Sequence, residues 1–151
     1  STVVVLGAQR MGQVIFTIFA GRKRFLSILW MYVRQLLSNQ EVDSVHVWDY
    51  CRNAADRDFL RTSLLPPPPT RDERIQLMEP PPEPNATLGN RWRSYYAFYA
   101  KHLSPDDILI KADDDVVALF GLPALLREVR RDSPRRLLVY PSIVNNDVCA
   151  V

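Results

Sequence analysis

Three consecutive aspartates, Asp113, Asp114 and Asp115, follow the apolar run ILIKA of residues 108–112. Such a run predicts a buried strand, and three like charges at its end need an explanation, because burying an unpaired carboxylate is costly. In an extended chain Asp113 and Asp115 point to one side and Asp114 to the other. Two converging carboxylates suit a hard cation, Mg²⁺ or Mn²⁺, that completes its shell with water and substrate phosphates. The pattern therefore predicts a metal site or, alternatively, a solvated acidic turn whose Asp114 or Asp115 caps the next helix.

The composition describes a chain that folds around one core. It has 151 residues, of which 47% are hydrophobic and 24% charged, as in a single globular domain. The net charge of +2 is too small to indicate nucleic-acid binding, so no nucleic-acid partner is expected. Residues 1–40 nevertheless contain five basic residues and no acidic one, which suits a polyanionic ligand. Cys51 and Cys149 are too few for a disulfide framework or a zinc site.

Strand patterns alternate with helix patterns along most of the chain. Strands are predicted over 14–20, 44–50, 74–78, 107–112 and 136–144. Helices are predicted over 25–37, 53–64, 89–103 and 119–131. The first has its apolar residues at helical spacing: Phe25, Ile28, Leu29, Tyr32, Val33, Leu36 and Leu37. The inner stripe of the third is predicted to be Trp92, Tyr95, Tyr96, Tyr99 and Leu103. This alternation predicts an α/β fold with a mixed, mostly parallel sheet flanked by helices, in which ligands bind beyond the carboxyl ends of the strands. The aspartates follow the fourth of these strands.

Residues 1–13 are predicted to be an N-terminal extension or a leading strand, and residues 14–151 the functional domain. The stretch VVVLGAQRMG, residues 3–12, imitates a dinucleotide-binding turn, but Gln9 stands where the second glycine is required. A β-rich segment follows it where that motif needs a helix. We therefore expect no dinucleotide cofactor there.

The motif around the aspartates resembles that of a known enzyme family. Lys111, Ala112, Asp113–Asp115 and Val116 resemble the DxD signature of glycosyltransferases with the GT-A fold, most closely those whose motif reads K-x-D-D-D-V. The resemblance covers roughly residues 14–148, but only the DxD element is specific. It implies a GT-A-like (Rossmann-like) fold and transfer of a sugar from a nucleoside-diphosphate sugar to an acceptor hydroxyl of a glycan or protein. It also implies Mn²⁺ or Mg²⁺ as cofactor, and a chain that is incomplete at its C-terminus.

The resemblance assigns roles to individual positions. Asp113 and Asp115 would be the catalytic, metal-holding pair, with Asp115 as the direct ligand. Asp114 would place the ribose or the sugar. The remaining donor-binding candidates lie at or just after the ends of the first two strands, or begin the third helix: Phe19, Gly21, Arg22, Asp49, Asn90, Arg91 and Arg93. The resemblance implies that the turn from Phe19 to Arg22 lies against the nucleotide base and that Asp49 accepts from a base N–H. For Asp49 a turn role, and for the arginines a solvated helix face, remain the alternatives.

Two other functions fit parts of the same sequence. Asp113, Asp115 and Val117 also match the D-x-D-x-(T/V) motif of haloacid-dehalogenase-type phosphohydrolases, whose first aspartate is a covalent nucleophile. That motif usually opens its domain, whereas here three predicted strands precede it. The third possibility is a module that binds a nucleotide sugar, or a protein partner, without turnover.

The loops carry weaker signals. Pro66, Pro69 and Arg71 match a PxxPx(R/K) ligand of SH3 domains, although a surface connection is the simpler interpretation. The sequon Asn85-Ala86-Thr87 is compatible with the lumen of the Golgi or endoplasmic reticulum. His46 and His102 are each predicted to be structural. Asp147 is a weak candidate for an acceptor base.

Overall fold

The computed structural model describes residues 12–66, 71–80, 88–113, 115, 116, 120–132, 144, 145, 148 and 149. The chain divides into two compact units, Ser1–Phe120 and Gly121–Val151. The first unit contains β1 (Val14–Ala20), α1 (Lys23–Ser38), β2 (Ser44–Asp49), α2 (Ala54–Asp58), β3 (Ile75–Met78), α3 (Leu88–His102) and β4 (Ile108–Ala112). A π-helical segment, Phe59–Leu64, continues α2 directly. The second unit contains α4 (Leu122–Asp132), β5 (Val144–Asn145) and β6 (Val148–Cys149).

The four strands of the first unit form one sheet in the order β3-β2-β1-β4, and every pair is parallel. The α/β prediction is thus confirmed, with a described sheet that is entirely parallel. From β1 the chain passes to β2 and β3 on one side and then returns to β4 on the other. Right-handed crossovers therefore place α1 and α3 on opposite faces. The crossovers diverge between β1 and β4, so the crevice at the carboxyl ends of these two strands is where such sheets bind ligands.

The first four predicted strands are confirmed to within one residue at each end. The predicted strand over 136–144 cannot be compared, since residues 136–143 lie outside the described part of the chain. The same holds for residues 1–11, which include most of the predicted N-terminal extension. The described Val144–Asn145 pairs with Val148–Cys149 in a separate antiparallel ladder.

The face of the sheet towards α3 is closed by aromatic side chains. Tyr95 is fully buried, and its hydroxyl lies 2.9 Å from that of Thr17, which donates to the carbonyl of Ile110. Burial raises the pKa of Tyr95 to about 12. The inner stripe of α3 was predicted to include Tyr96, which is wrong: Tyr96 is 56% exposed. Phe98 packs instead against the buried cluster on this face, which consists of Ile15, Phe19, Trp48, Tyr95 and Tyr99.

The opposite face is aliphatic. Phe16, Ile18, Val45 and Val47 alternate with the residues of the α3 face and are fully buried, as expected for a parallel sheet covered on both sides. The buried stripe of α1 is Leu26, Leu29, Trp30, Val33, Leu36 and Leu37. The predicted stripe placed Ile28 inside and missed Leu26 and Trp30.

Two carboxylates hold the amino ends of the strands. The amide of Val14 donates to Asp43 Oδ2 at 2.6 Å, and the amides of Gln13 and Ser104 each donate to Asp107 at 2.8 Å. Gly12 lies against the turn that precedes β4. A Cβ on Gly12 would sit 1.8 Å from the carbonyl oxygen of Asp106 in that turn. We call this side of the sheet, formed by residues 12–14, Asp43 and residues 104–108, the amino edge.

Helix α4 has a buried side containing Leu122 and Leu126. Gly121, just before it, has a φ of 68°, a conformation that glycine adopts without strain. No helix in the described part of the chain is long and apolar enough to cross a membrane.

Candidate functional site

The carboxyl ends of β1, β2 and β4 bring several of the predicted site residues to one side of the sheet. Strand register pairs Ala20 with Asp49 and Ile18 with Ala112. Gly21 and Arg22 continue from β1, and Asp113 follows β4. We call this side, formed by the segments after β1, β2 and β4, the carboxyl edge.

Strand β4 ends at Ala112, and the chain then turns. The amide of Val116 donates to the carbonyl of Asp113 at 3.2 Å, which closes a turn over residues 113–116. Residues 113–115 therefore do not continue the strand, so the strand alternation that would place Asp113 and Asp115 on one side does not apply to them. Asp114 lies outside the described residues.

Each of the two described aspartates is paired with a basic side chain. Lys111 Nζ lies 2.5 Å from Asp113 Oδ1, and Arg22 Nη2 lies 3.4 Å from Asp115 Oδ2. The side chains of Asp113 and Asp115 are 47% and 41% exposed, so both pairs lie at the surface. The Arg22–Asp115 pair joins the segment after β1 to the segment after β4, across the crevice that the topology identifies.

Aromatic rings lie beneath both cations. Lys111 Nζ lies 4.7 Å from the centre of the Phe19 ring, and the Arg22 guanidinium carbon lies 4.7 Å from the centre of the Phe25 ring. Phe19 itself is buried and packs edge-on against Tyr95 and Tyr50, at 4.7 and 4.9 Å between ring centres. Its contact with a nucleotide base, implied by the resemblance, stays a prediction.

Asp49 is the buried carboxylate of this edge. Its Oδ1 accepts from the amide of Cys51 at 3.1 Å, and its Oδ2 accepts from Arg57 and Arg61, each at 3.2 Å. Arg61 also reaches Glu79 at 2.6 Å. Asp49 thus ties β2 to the helical segment that follows it. Burial and the neighbouring Asp49 raise the pKa of the Cys51 thiol to about 12, so this thiol is inert at neutral pH.

The start of α1 is basic. Its first turn contains Lys23 and Arg24 and no acidic residue. Asp56 Oδ1 of α2 accepts from the Lys23 amide at 3.0 Å. A cavity of about 370 Å³ opens here, lined by Arg22, Lys23, Arg24, Ser27 and Asp56. A helix N-terminus with added positive charge favours an anion.

The start of α3 is described only in part. Arg93 is exposed. Asn90 and Arg91 lie in the first turn of α3, but their side chains are outside the described set. Since α3 follows β3, its N-terminus lies towards the carboxyl edge.

The histidines lie elsewhere. His46 is buried, its Nδ1 is 2.7 Å from the hydroxyl of Tyr99, and its ring stacks on that of Tyr99 at 5.7 Å. Trp48 Nε1 donates to the same hydroxyl at 3.2 Å. His102 Nδ1 contacts the carbonyl of Phe98 at 2.7 Å. These contacts are packing contacts around α3, as the sequence analysis expected of both histidines.

The donor set at the carboxyl edge suits a cation that brings ligands of its own. Among the described residues no group of three or more histidine, cysteine, aspartate or glutamate side chains could hold a metal ion. Asp113 and Asp115 offer hard carboxylate oxygens from one turn. Such a pair fits Mg²⁺ or Mn²⁺ when substrate phosphates and water complete the shell.

No family model, curated protein or solved structure matches this chain. Function is therefore inferred from the motif and from the geometry of the carboxyl edge. Sequence reasoning gave no role to Lys111, although it stands inside the K-x-D-D-D-V motif. It also missed Arg57 and Arg61, whose partner Asp49 is identifiable only from the fold.

Proposed function

We propose that this chain contains the donor-binding part of a metal-dependent GT-A-type glycosyltransferase, which transfers a sugar from a nucleoside-diphosphate sugar to an acceptor hydroxyl. One observation carries the proposal. The Arg22–Asp115 contact brings a basic helix start and the K-A-D-D-D-V turn together between β1 and β4. That crevice is the ligand position of parallel α/β sheets.

The leaving group explains the residue types. A nucleoside diphosphate departs with growing negative charge, and a divalent cation bound at Asp113 and Asp115 would supply Lewis-acid stabilisation of that charge. Arg22 and the amides at the start of α1 supply further positive groups towards the diphosphate. Arg93, with Asn90 and Arg91 as predicted neighbours, adds donors from α3.

The remaining donor contacts are proposed on the resemblance. Gly21 would let the nucleotide approach the backbone after β1, with Phe19 beneath it, and Asp114 would bind the ribose or sugar. Asp49 would accept from a base N–H. Its oxygens already accept from Cys51, Arg57 and Arg61, but each carboxylate oxygen offers two lone-pair directions, so a further donor is possible at Oδ1.

The acceptor is proposed to be a hydroxyl of a glycan or protein. A Golgi or endoplasmic reticulum location is compatible with the sequon Asn85-Ala86-Thr87, which lies outside the described residues. Pro69 of the possible SH3 ligand Pro66–Arg71 also lies outside them.

Calorimetry with Mn²⁺ and UDP or GDP tests the proposal. We expect weak binding of Mn²⁺ alone and tighter binding when the diphosphate is present. Asp115→Ala should abolish this enhancement. Asp106→Ala is the matched control, because Asp106 is an exposed aspartate at the amino edge and should leave the enhancement intact. Equal Mn²⁺ binding by Asp115→Ala and the unmodified chain would contradict the site.

Turnover separates sugar transfer from phosphate hydrolysis. The chain is incubated with Mn²⁺ and nucleotide sugars and, separately, with aryl phosphates. Release of a nucleoside diphosphate from a sugar donor supports the proposal. Release of phosphate from the aryl ester, lost in Asp113→Asn, would indicate the haloacid-dehalogenase-type reaction instead. Diphosphate-dependent Mn²⁺ binding without any turnover would support donor binding but not sugar transfer by this chain.

A further inference from the structure

The two candidate metal ligands are already neutralised by the protein itself. Asp113 is paired with Lys111, which belongs to the same strand and turn, and Asp115 with Arg22, which belongs to the start of α1. A divalent cation cannot take the same carboxylate oxygens without meeting these positive charges. Metal binding at these oxygens therefore competes with Lys111 and Arg22.

Both cations have a second contact that does not involve the aspartates. The Lys111 ammonium lies over Phe19, and the Arg22 guanidinium lies over Phe25. A cation over an aromatic face is attracted by the ring's negative face. Each side chain can thus leave its carboxylate and keep one favourable partner. Exposed ion pairs of this kind are also weak, so they can be exchanged.

The displaced arginine lies at the proposed phosphate position. Arg22 is the residue before the first turn of α1, and it lines the basic cavity at that helix start. A diphosphate bound there would offer Arg22 new oxygen partners in place of Asp115. The planar guanidinium suits a phosphate as well as a carboxylate.

We propose that Arg22 and Lys111 are exchangeable counter-ions of the aspartates, and that Arg22 transfers from Asp115 to the diphosphate when metal and nucleotide bind together. This inference rests on the proposed function and names the residue that couples its two ligands. When metal binds without a nucleotide, Arg22 and Lys111 give up their contacts with Asp115 and Asp113, and this loss opposes metal binding. When metal and diphosphate bind together, Arg22 gains phosphate oxygens in place of Asp115, which offsets part of that loss.

Calorimetry of Arg22→Gln tests the exchange, with Mn²⁺ alone, UDP alone and both together. Removing the competing cation should tighten binding of Mn²⁺ alone roughly two- to fivefold, the value of an exposed ion pair. Removing the phosphate partner should reduce the enhancement by UDP about tenfold, the value of a hydrogen bond to a charged group. If Arg22 had only a structural role, Arg22→Gln would weaken both the binding of Mn²⁺ alone and its enhancement by UDP. Arg22→Lys, which keeps the charge, should bind Mn²⁺ alone as weakly as the unmodified chain.

Arg24→Gln is the matched control. Arg24 belongs to the same turn and also lies over Phe25, at 4.3 Å, but it is not the residue paired with Asp115. Its loss should change the affinity for Mn²⁺ alone by less than about twofold, since only a long-range charge is removed. A change as large as that of Arg22→Gln would overturn the specific exchange.

The outcomes separate this inference from the proposed function. If the unmodified chain shows the enhancement and Arg22→Gln keeps both it and the original Mn²⁺ affinity, the exchange is wrong and the metal site stands. If the unmodified chain shows no enhancement at all, the proposed function fails, and the exchange fails with it.

Discussion

The amino and carboxyl edges of the sheet both carry aspartates, but they pair them differently. At the amino edge Asp43 and Asp107 accept from backbone amides, which are fixed by the strands and turns that carry them. At the carboxyl edge Asp113 and Asp115 are held by the side chains of Lys111 and Arg22, which can rotate away. The amino-edge hydrogen bonds stabilise the fold. The carboxyl-edge pairs neutralise the aspartates and leave these carboxylates available to a ligand.

Gly12→Ala should give the largest effect, because it tests how rigid the amino edge is. The new Cβ would sit 1.8 Å from the backbone oxygen of Asp106, and backbone cannot move aside as a side chain can. We expect the free energy of unfolding to fall by about 3 kcal/mol, the upper part of the range for overpacking. Urea unfolding measures it. A loss of under about 0.5 kcal/mol would mean that this edge is loose and that the contrast between the edges is false.

Asp107→Ala and Asp115→Ala compare the two edges directly. Asp107→Ala removes the acceptor of two backbone amides and should lower the free energy of unfolding by about 1–3 kcal/mol. Asp115→Ala removes half of an exposed ion pair and should change it by no more than about 1 kcal/mol. Both are measured by urea unfolding without metal. A larger loss for Asp115→Ala would make the carboxyl-edge pair structural.

Mild acid should destabilise the fold through His46, which is buried against α3. Burial lowers the pKa of His46 below its usual 6.5, so the folded state favours the neutral ring, whose Nδ1 contacts Tyr99. The unfolded state then binds more protons, and stability is full above pH 6.5 and falls as the pH drops from 6.5 towards the lowered value. One such group contributes at most about 1.4 kcal/mol per pH unit.

Urea midpoints between pH 7.5 and 5 measure this effect. His46→Gln should flatten the slope, and the exposed His102→Gln is the matched control, which should keep it. An unchanged slope in His46→Gln would assign the acid sensitivity to other groups.

The sequence predicted most of the fold because the patterns are strong. The runs ILIKA and VIFTIFA both form strands, as expected, but only VIFTIFA is buried throughout. In ILIKA, at the end of the described sheet order, Ala112 alone is buried and Lys111 is exposed, so the prediction of a buried strand is wrong for it. The inner stripe of α1 was predicted less well, since FLSILWMYV is apolar on most sides and periodicity alone cannot choose between Ile28 and Trp30. Tyr96 was misplaced for the same reason: α3 has aromatic residues at adjacent positions, and packing against Thr17 and Trp48 selects Tyr95 and Tyr99.

The sequence identified which residues belong to the candidate site, but not which of them contact each other. The motif identified Asp113 and Asp115, and the basic start of α1 was identified by its charge. Their pairing depends on β1 and β4 being neighbours, which no local pattern specifies. The turn after Ala112 was missed because an apolar strand pattern does not show where the strand ends. GT-A identity and sugar transfer stay proposals.

Paramagnetic broadening by Mn²⁺ tests the central claim most directly, because it locates the ion. Strand β1 separates the two edges by roughly 20 Å, at about 3.3 Å per residue. With UDP present, the amide signals of Gly21, Arg22 and Asp113 should broaden first, while those of Val14 and Asp107 should stay sharp. Without UDP the broadening should be much weaker. Broadening centred on the amino edge, or spread evenly over the chain with and without UDP, would contradict a metal–diphosphate site between β1 and β4.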